Sequence, residues 1–244
     1  MVEIDRWFWS LGKDSAGLPD PDTVTEYNTS TPDDFRFIIK CPNALTLKVN
    51  PHSGADNRFF LSQTLMEEYL ASLEPLKTKT GMHMLQFGYL NRSMFDTPRE
   101  FLSAVDMFRN SIPSHIPLGI EIRNPGYLRY SFFAALRDMN ISPVLLSGYW
   151  MPDVVETIRR YRDAFSPVLV LRLHGENRSD IEEATGNRWD RIVFDRSNDI
   201  TRIAATLQEL SQEHQIYVAV NNHFEGSAPL SIIRLRHAMG DSVW

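Results

Sequence analysis

A (β/α)8 barrel of the TIM type is the fold this sequence predicts, on three observations. Short apolar runs rich in Val, Ile, Leu and Phe alternate with longer amphipathic runs. The alternation recurs seven times, which means parallel strands joined by crossover helices. No linker or composition shift divides the 244 residues, a length that suits a single α/β-barrel domain over 1–244.

The predicted strands are Val2–Phe8, Phe35–Lys40, Met82–Phe87, Leu118–Ile122, Val144–Leu146, Val168–Leu173 and Tyr217–Val220. Helical spacing lies between them. Leu61, Leu65, Tyr69, Leu70 and Leu73 recur on one helix face. Thr97-Pro98-Arg99-Glu100 is a capping box with proline at the first helical position, and it opens a helix toward Phe108. Ser131–Met139, Pro152–Phe165 and Asp199–His214 follow, and the last helix starts at Ser227 and stops before Gly240. A doubly wound open sheet is the alternative, but no G-x-G-x-x-G and no P-loop is present. Residues 41–60 and 174–198 are long connections after strands, where lids occur in this fold; a disordered insertion is the other reading.

Hydrophobic residues make up 43% and charged residues 23%, as in folded, water-soluble proteins. The net charge of −6 argues against a nucleic-acid binder that uses its whole surface. Cys41 stands alone, so no internal disulfide forms, which favours a reducing compartment. Glu3 and Asp5 at the start, with no apolar run after them, argue against a signal peptide. No stretch approaches the roughly 18 apolar residues of a membrane span. A cytoplasmic protein without membrane association is the expectation.

Side chains alternate between the faces of a strand, and this sorts the polar residues. Ile120 and Ile122 take one face, so Glu121 and Arg123 take the other. Phe35, Phe37 and Ile39 leave Lys40 opposite. Leu169, Leu171 and Leu173 leave Arg172 and His174 opposite. Val2 and Ile4 leave Glu3 and Asp5. Gln86 ends its strand, and Asn221, Asn222 and His223 close the last. Polar groups at strand carboxyl ends read as functional in this fold. Each one singly also reads as a structural ion pair, Glu121 with Arg172 for instance. Burying so many charges costs several kcal/mol per ion unless each is paired or solvated.

The same residues carry a family resemblance. Phe35-Arg36-Phe37-Ile38-Ile39-Lys40-Cys41-Pro42 with Leu45-Thr46, Glu121-Ile122-Arg123-Asn124-Pro125, Leu171-Arg172-Leu173-His174-Gly175, and Val220-Asn221-Asn222-His223 with Gly226-Ser227-Ala228-Pro229 occur in the order of the motifs of domain-of-unknown-function family 72, the YecE-like family. The resemblance implies a TIM-type barrel with a pocket built from these residues, and it implies no particular activity. Three departures stand out. Val2-Glu3-Ile4-Asp5 resembles the family's second strand, so the first βα unit is expected to be lacking. Leu47 stands where histidine is frequent, and Phe87-Gly88 replaces a double proline. A barrel short of one strand leaves edges on the Glu3 and Asn221 strands, which invites homo-oligomers, poor solubility or a compensating closure.

Three functional readings follow. In the first, an enzyme of hydrolase or lyase type acts on a small anionic, phosphorylated substrate at an anion-binding pocket. Lys40, Arg123 and Arg172 hold the anion, with Gln86, Asn221 and Asn222 as further substrate contacts. Glu121 or His174 moves the proton and Glu3 tunes the charge. In the second, a metal-dependent phosphodiesterase, only His174 and His223 fall near the strand ends, and the three cations would repel a divalent ion. No metal and no other cofactor is expected. In the third, the pocket binds an anionic ligand or nucleic acid without turnover. Tyr149, Trp150 and Trp189 could stack bases, but each also reads as a loop anchor. Cys41 reads as a small buried hydrophobe, and His83, opposite Gln86, as packed among helices. Asn28-Thr29-Ser30, Asn91-Arg92-Ser93 and Asn177-Arg178-Ser179 match the glycosylation pattern without a secretion signal to give it meaning.

Overall fold

The computed structural model describes residues 1–175 and 178–240. Seven strands lie in one sheet in chain order: β1 (Val2–Ile4), β2 (Phe37–Lys40), β3 (Thr80–Gln86), β4 (Leu118–Glu121), β5 (Ile141–Gly148), β6 (Val168–Gly175) and β7 (Gln215–Val220). The helices among the described residues are α1 (Pro21–Thr29), α2 (Gln63–Ser72), α3 (Pro98–Asn110), α4 (Tyr130–Asp138), α5 (Val154–Tyr161), α6 (Arg178–Thr185), α7 (Ser197–Leu210) and α8 (Ala228–Ala238). Sequential strand order with crossover helices is the TIM-type α/β class, here with seven strands of the eightfold pattern. A doubly wound sheet would reverse its order part-way. The chain divides into two compact units, Met1–Tyr127 with Asp138–Ser142, and Leu128–Arg137 with Pro143–Trp244.

In the first unit, β1 to β4 pair in parallel. The register sorts the faces. Glu3 lies beside Ile38, Lys40 beside Met84, Met84 beside Gly119, and Gln86 beside Glu121. The opposite face carries Phe37, Ile39, His83, Leu85 and Ile120, against which the helices pack. Tyr27 of α1 meets Phe37 at 6.0 Å between ring centres, and Tyr69 of α2 meets His83 at 5.5 Å. Phe101 of α3 meets Phe87 edge-on at 5.0 Å. Burying an aromatic ring of this size is worth roughly 1.5–3 kcal/mol. Phe87 therefore belongs to the α3 core and is no part of the strand-end polar set.

The Thr97 half of the capping box forms, and the reciprocal bond shifts one residue outward. Thr97 Oγ1 accepts from Glu100 N–H, and Glu100 Oε2 accepts from Asp96 N–H. Sequence and structure differ at three places in this unit. The first strand stops at Ile4, because Phe8 N–H turns back to Asp5 C=O; Asp5 is then an exposed turn residue and not a strand side chain. Helix α1 was not expected, although Asp20 caps it and Pro21 fills its first position. Residues 41–60 are no disordered insertion. Buried Asn43, Asn50 and Asn57 tie them down through main-chain groups, as detailed below.

In the second unit, β5, β6 and β7 pair in parallel. Leu146 lies beside Arg172, and Arg172 beside Ala219. Between Ser147 and Gly148 the register slips, so Leu173 and Gly175 have β5 partners and His174 has none there. Phe133 of α4 packs on Phe165 at 4.9 Å. The long connection after β6 contains α6, which was also not expected, and Asn177 of the third glycosylation pattern falls outside the described residues. The remaining elements match the sequence expectation within a few residues at each end, the usual spread for helix and strand termini.

Candidate functional site at the strand carboxyl ends

In the first unit, four of the expected residues share one sheet face. Glu3 is half-buried at the short β1; Lys40 and Gln86 are nearly buried at the ends of β2 and β3. Glu121 is wholly buried at the end of β4. Its carboxylate accepts from Arg123 Nε–H at 3.1 Å, two residues on. Arg123 keeps 22% of its side chain exposed, so the pair has one dry and one wet partner. The alternation of the strand dictates this: Ile120 and Ile122 go to the helices, and Glu121 and Arg123 go together to the other face. Lys40 Nζ sits 4.0 Å above the ring of Phe8, a cation–π contact worth about 1–2 kcal/mol when desolvated.

Loops frame this set. Asn43 Oδ1 accepts from the N–H groups of Ser10 and Leu11, both at 2.9 Å. Asn50 Nδ2 donates to the carbonyls of Gly12 and Lys13, and Asn57 Nδ2 to those of Ala44 and Leu47. Asn124, right after Arg123, closes two bonds with the main chain of Leu90, at 2.8 and 2.7 Å. These asparagines position the residues after β1, β2, β3 and β4. Sequence reasoning missed the roles of Asn43, Asn50 and Asn57, because single polar residues in aperiodic segments carry no signal, and it met Asn124 only as part of the Glu121–Pro125 motif.

In the second unit, Arg172 is buried to 2% exposure in the middle of β6, and His174 follows half-buried with Tyr149 against it, 5.9 Å between ring centres. The strand ends touch through main chain. Gly148 has φ +136°, and a Cβ there would lie 2.1 Å from Gly175 O; Gly175 has φ +75°, and a Cβ there would lie 2.4 Å from His223 O. Only glycine fits either place. Tyr149 itself is left-handed at φ +53° and donates its N–H to Gly175 O.

Asn221 and Asn222 have local duties. Asn221 Oδ1 accepts from His223 N–H, and Asn222 Oδ1 accepts from Ala228 N–H at the start of α8. His223 Nε2 stands 3.4 Å from Glu182 of α6, and its ring meets Trp189 edge-on at 5.1 Å. Glu182 is held below the usual carboxylate range, first by the hydrogen bond from Arg178. Trp189 thus anchors a loop, whereas Trp150 is exposed. Beside them Glu225, wholly buried, accepts from Ser231, Arg234 and Arg196 N–H. Arg234 also reaches Asp195, which is lowered to about 2, chiefly by the Ser197 hydroxyl and then by Arg234.

Among the described residues, no three His, Cys, Asp or Glu side chains are grouped as metal ligands, and no helix is long and apolar enough to cross a membrane.

Sequential parallel strands with ionisable groups gathered at their carboxyl ends define a TIM-type α/β protein. Comparison with known proteins places it more closely. The model of the family described as "Protein of unknown function DUF72" matches residues 1–243, and the chain belongs to that family. It is similar to the UPF0759 protein YecE of Escherichia coli O157:H7 and of strain K12. Each is 32% identical over 215 residues, which cover 81% of this chain and 68% of the relative. Among solved structures it is similar in fold to a DUF72 family protein from Enterococcus faecalis V583, with a TM-score of 0.70, 17% identity, and coverage of 98% of this chain and 84% of that one. A DUF72 family protein from Thermotoga maritima MSB8 gives 0.65 and 21%, covering 94% and 81%.

Proposed function

We propose that this chain is an enzyme acting on a small anionic substrate, of the phosphorylated kind, at the carboxyl ends of its strands. The observation that carries the reading is Glu121: a carboxylate taken wholly out of water, held by Arg123, on the same face as Lys40, Gln86 and Glu3. Such an ion costs several kcal/mol to bury, and fold stability is a weak reason to keep it. In this reading Lys40 and Arg123 bind the anion, Gln86 orients it, Glu121 moves the proton and Glu3 sets the local charge. Arg172 and His174 are the second unit's corresponding cation and acid–base group, with Asn221 and Asn222 as polar contacts. The two sets are tested separately.

The test is a thermal-shift screen against sugar phosphates, nucleotides, short oligonucleotides and divalent metals, run on the native chain, Lys40→Met and Arg172→Ala. A ligand at about 100 times its Kd adds about 2.7 kcal/mol. In a chain of this size that raises Tm by roughly 5–10 °C. Loss of the shift in one variant assigns the anion to that residue's unit. Any ligand found is then offered for turnover to the native chain and to Glu121→Gln. Turnover that survives Glu121→Gln removes Glu121 from the chemistry, and no shift with any anion overturns the reading.

A further inference from the structure

The helix-packed side of the first unit's sheet holds a cavity that plays no part in the reading above. It lies at the amino-terminal ends of β3 and β4, has a volume of about 470 Å3, and is walled by Leu70, Leu73, Ile116 and Pro117 with His83 among them. The size is that of a small-molecule site. In this fold the amino-terminal face ordinarily serves stability, so a polar group facing a cavity there calls for a reason.

His83 supplies one. It is 5% exposed, and its Nδ1 lies 3.2 Å from the Tyr69 hydroxyl. Tyr69 is also hydrogen-bonded to Cys41. Burial pushes the Cys41 thiol up to about 12 and the Tyr69 hydroxyl up as well, so both keep their protons. Burial pushes His83 down to about 4, so the ring is neutral at pH 7. Phenol is a good donor, imidazole nitrogen a good acceptor and sulfur a weak one. Of these two acceptors the imidazole nitrogen is the stronger, so the Tyr69 O–H is assigned to His83 Nδ1. The hydrogen of the imidazole then sits on Nε2, which has no hydrogen-bond partner among the described residues. That N–H is not sealed from solvent: it is reached from the cavity that His83 lines.

We propose that this cavity is a binding site for a small apolar molecule bearing a neutral carbonyl group, whose oxygen accepts from His83 Nε2–H. The wall of Leu70, Leu73, Ile116 and Pro117 suits the body of such a molecule, while Glu74, Lys77, Thr80 and His115 line the remainder. A carboxylate is disfavoured, because the Lys77 ammonium at the cavity rim is exposed and offset by Glu74 at 3.2 Å, which leaves an anion little net attraction there.

The test is nitrogen-15 NMR of the histidine rings in the full chain, with acetanilide as the neutral probe and benzoate as the charged one. Ala71→Trp fills the cavity from an exposed position on α2, and Ile116→Trp fills it from the opposite wall should the first variant not fold. The expected result is a His83 ring protonated at Nε2. Acetanilide should displace that resonance saturably, benzoate should bind at least about tenfold more weakly, and the filling variant should abolish the displacement. A ring protonated at Nδ1, an acetanilide response that does not saturate, one that survives filling, or tighter binding of benzoate would each overturn the proposal. None of these outcomes touches Glu121 or Arg172, so the strand-end reading stands or falls separately.

Discussion

At the scale of single residues, His83 is the group whose behaviour is easiest to measure. Its folded pKa of about 4 lies below the ordinary value of 6.5, so the folded chain prefers the neutral ring. The sign follows: the unfolded chain takes up a proton first as pH falls. The stability tied to the neutral ring is whole above pH 6.5 and is lost as pH falls from there toward 4, about 3 kcal/mol in all. Urea melts of the native chain and His83→Gln at pH 7 and pH 4.5 should show the variant losing less between the two. Equal losses would mean that burial does not perturb His83. Strand alternation made His83, Lys40, Glu121 and Arg172 legible, because a period of two needs only neighbours in sequence. It says nothing of which loop residue a strand-end group meets, so the ring of Phe8 beneath Lys40 and the Asn124 clamp on Leu90 were invisible.

At the scale of elements, the glycines and the buried Glu225 give opposite kinds of test. Gly148→Ala places a methyl group against a main-chain carbonyl and should cost more than about 2 kcal/mol. Gly54→Ala meets open space at φ +70° and should cost only about 1 kcal/mol for its left-handed backbone. Denaturant midpoints of the two variants check the contrast. Arg234→Ala takes the Arg234 cation from the buried Glu225 carboxylate, leaving it the bonds from the Ser231 hydroxyl and the Arg196 N–H, and should cost about 3 kcal/mol. The double change Glu225→Leu with Arg234→Leu should recover most of that, because an apolar pair replaces a buried ionic one. Additive losses in the cycle would show that Glu225 is not compensated by Arg234. The elements that eluded the sequence share a physical cause. Helix α1 (Pro-Asp-Thr-Val-Thr-Glu-Tyr-Asn-Thr) and helix α6 (Arg-Ser-Asp-Ile-Glu-Glu-Ala-Thr) offer one or two large apolar residues each, too few to set a period. Caps announce a start even so, and the Asp20–Pro21 pair was there to be read.

At the scale of the whole molecule, strand count is the feature with the widest reach. Strands β1 and β7 stand first and last in the sheet order. Strand β7 is half-exposed from Ile216 to Val220 while β6 beside it is buried, and α8 leaves Leu230, Ile232 and Ile233 exposed. Half-exposed strands and bare apolar helix residues promote association. Sedimentation velocity over a hundredfold concentration range should show a concentration-dependent dimer or larger species. A single monomer throughout would mean that these surfaces are covered or inert. Fold class, strand count and the sorting of polar residues to one face followed from alternation and repeat number, properties that sum over many residues. The anchoring of the long loops depends on a few asparagines and could come only from the structure. Those anchors also set a clock. A free surface loop of some twenty residues rearranges in nanoseconds to microseconds. The segment from Cys41 to Leu61 is more restrained, because Asn43 and Asn50 bond it to residues 10–13 and Asn57 closes it on itself through Ala44 and Leu47. Its departure is a local unfolding event of microseconds or longer. Over the lifetime of a diffusing small molecule, the wall beside Lys40 is a fixed surface.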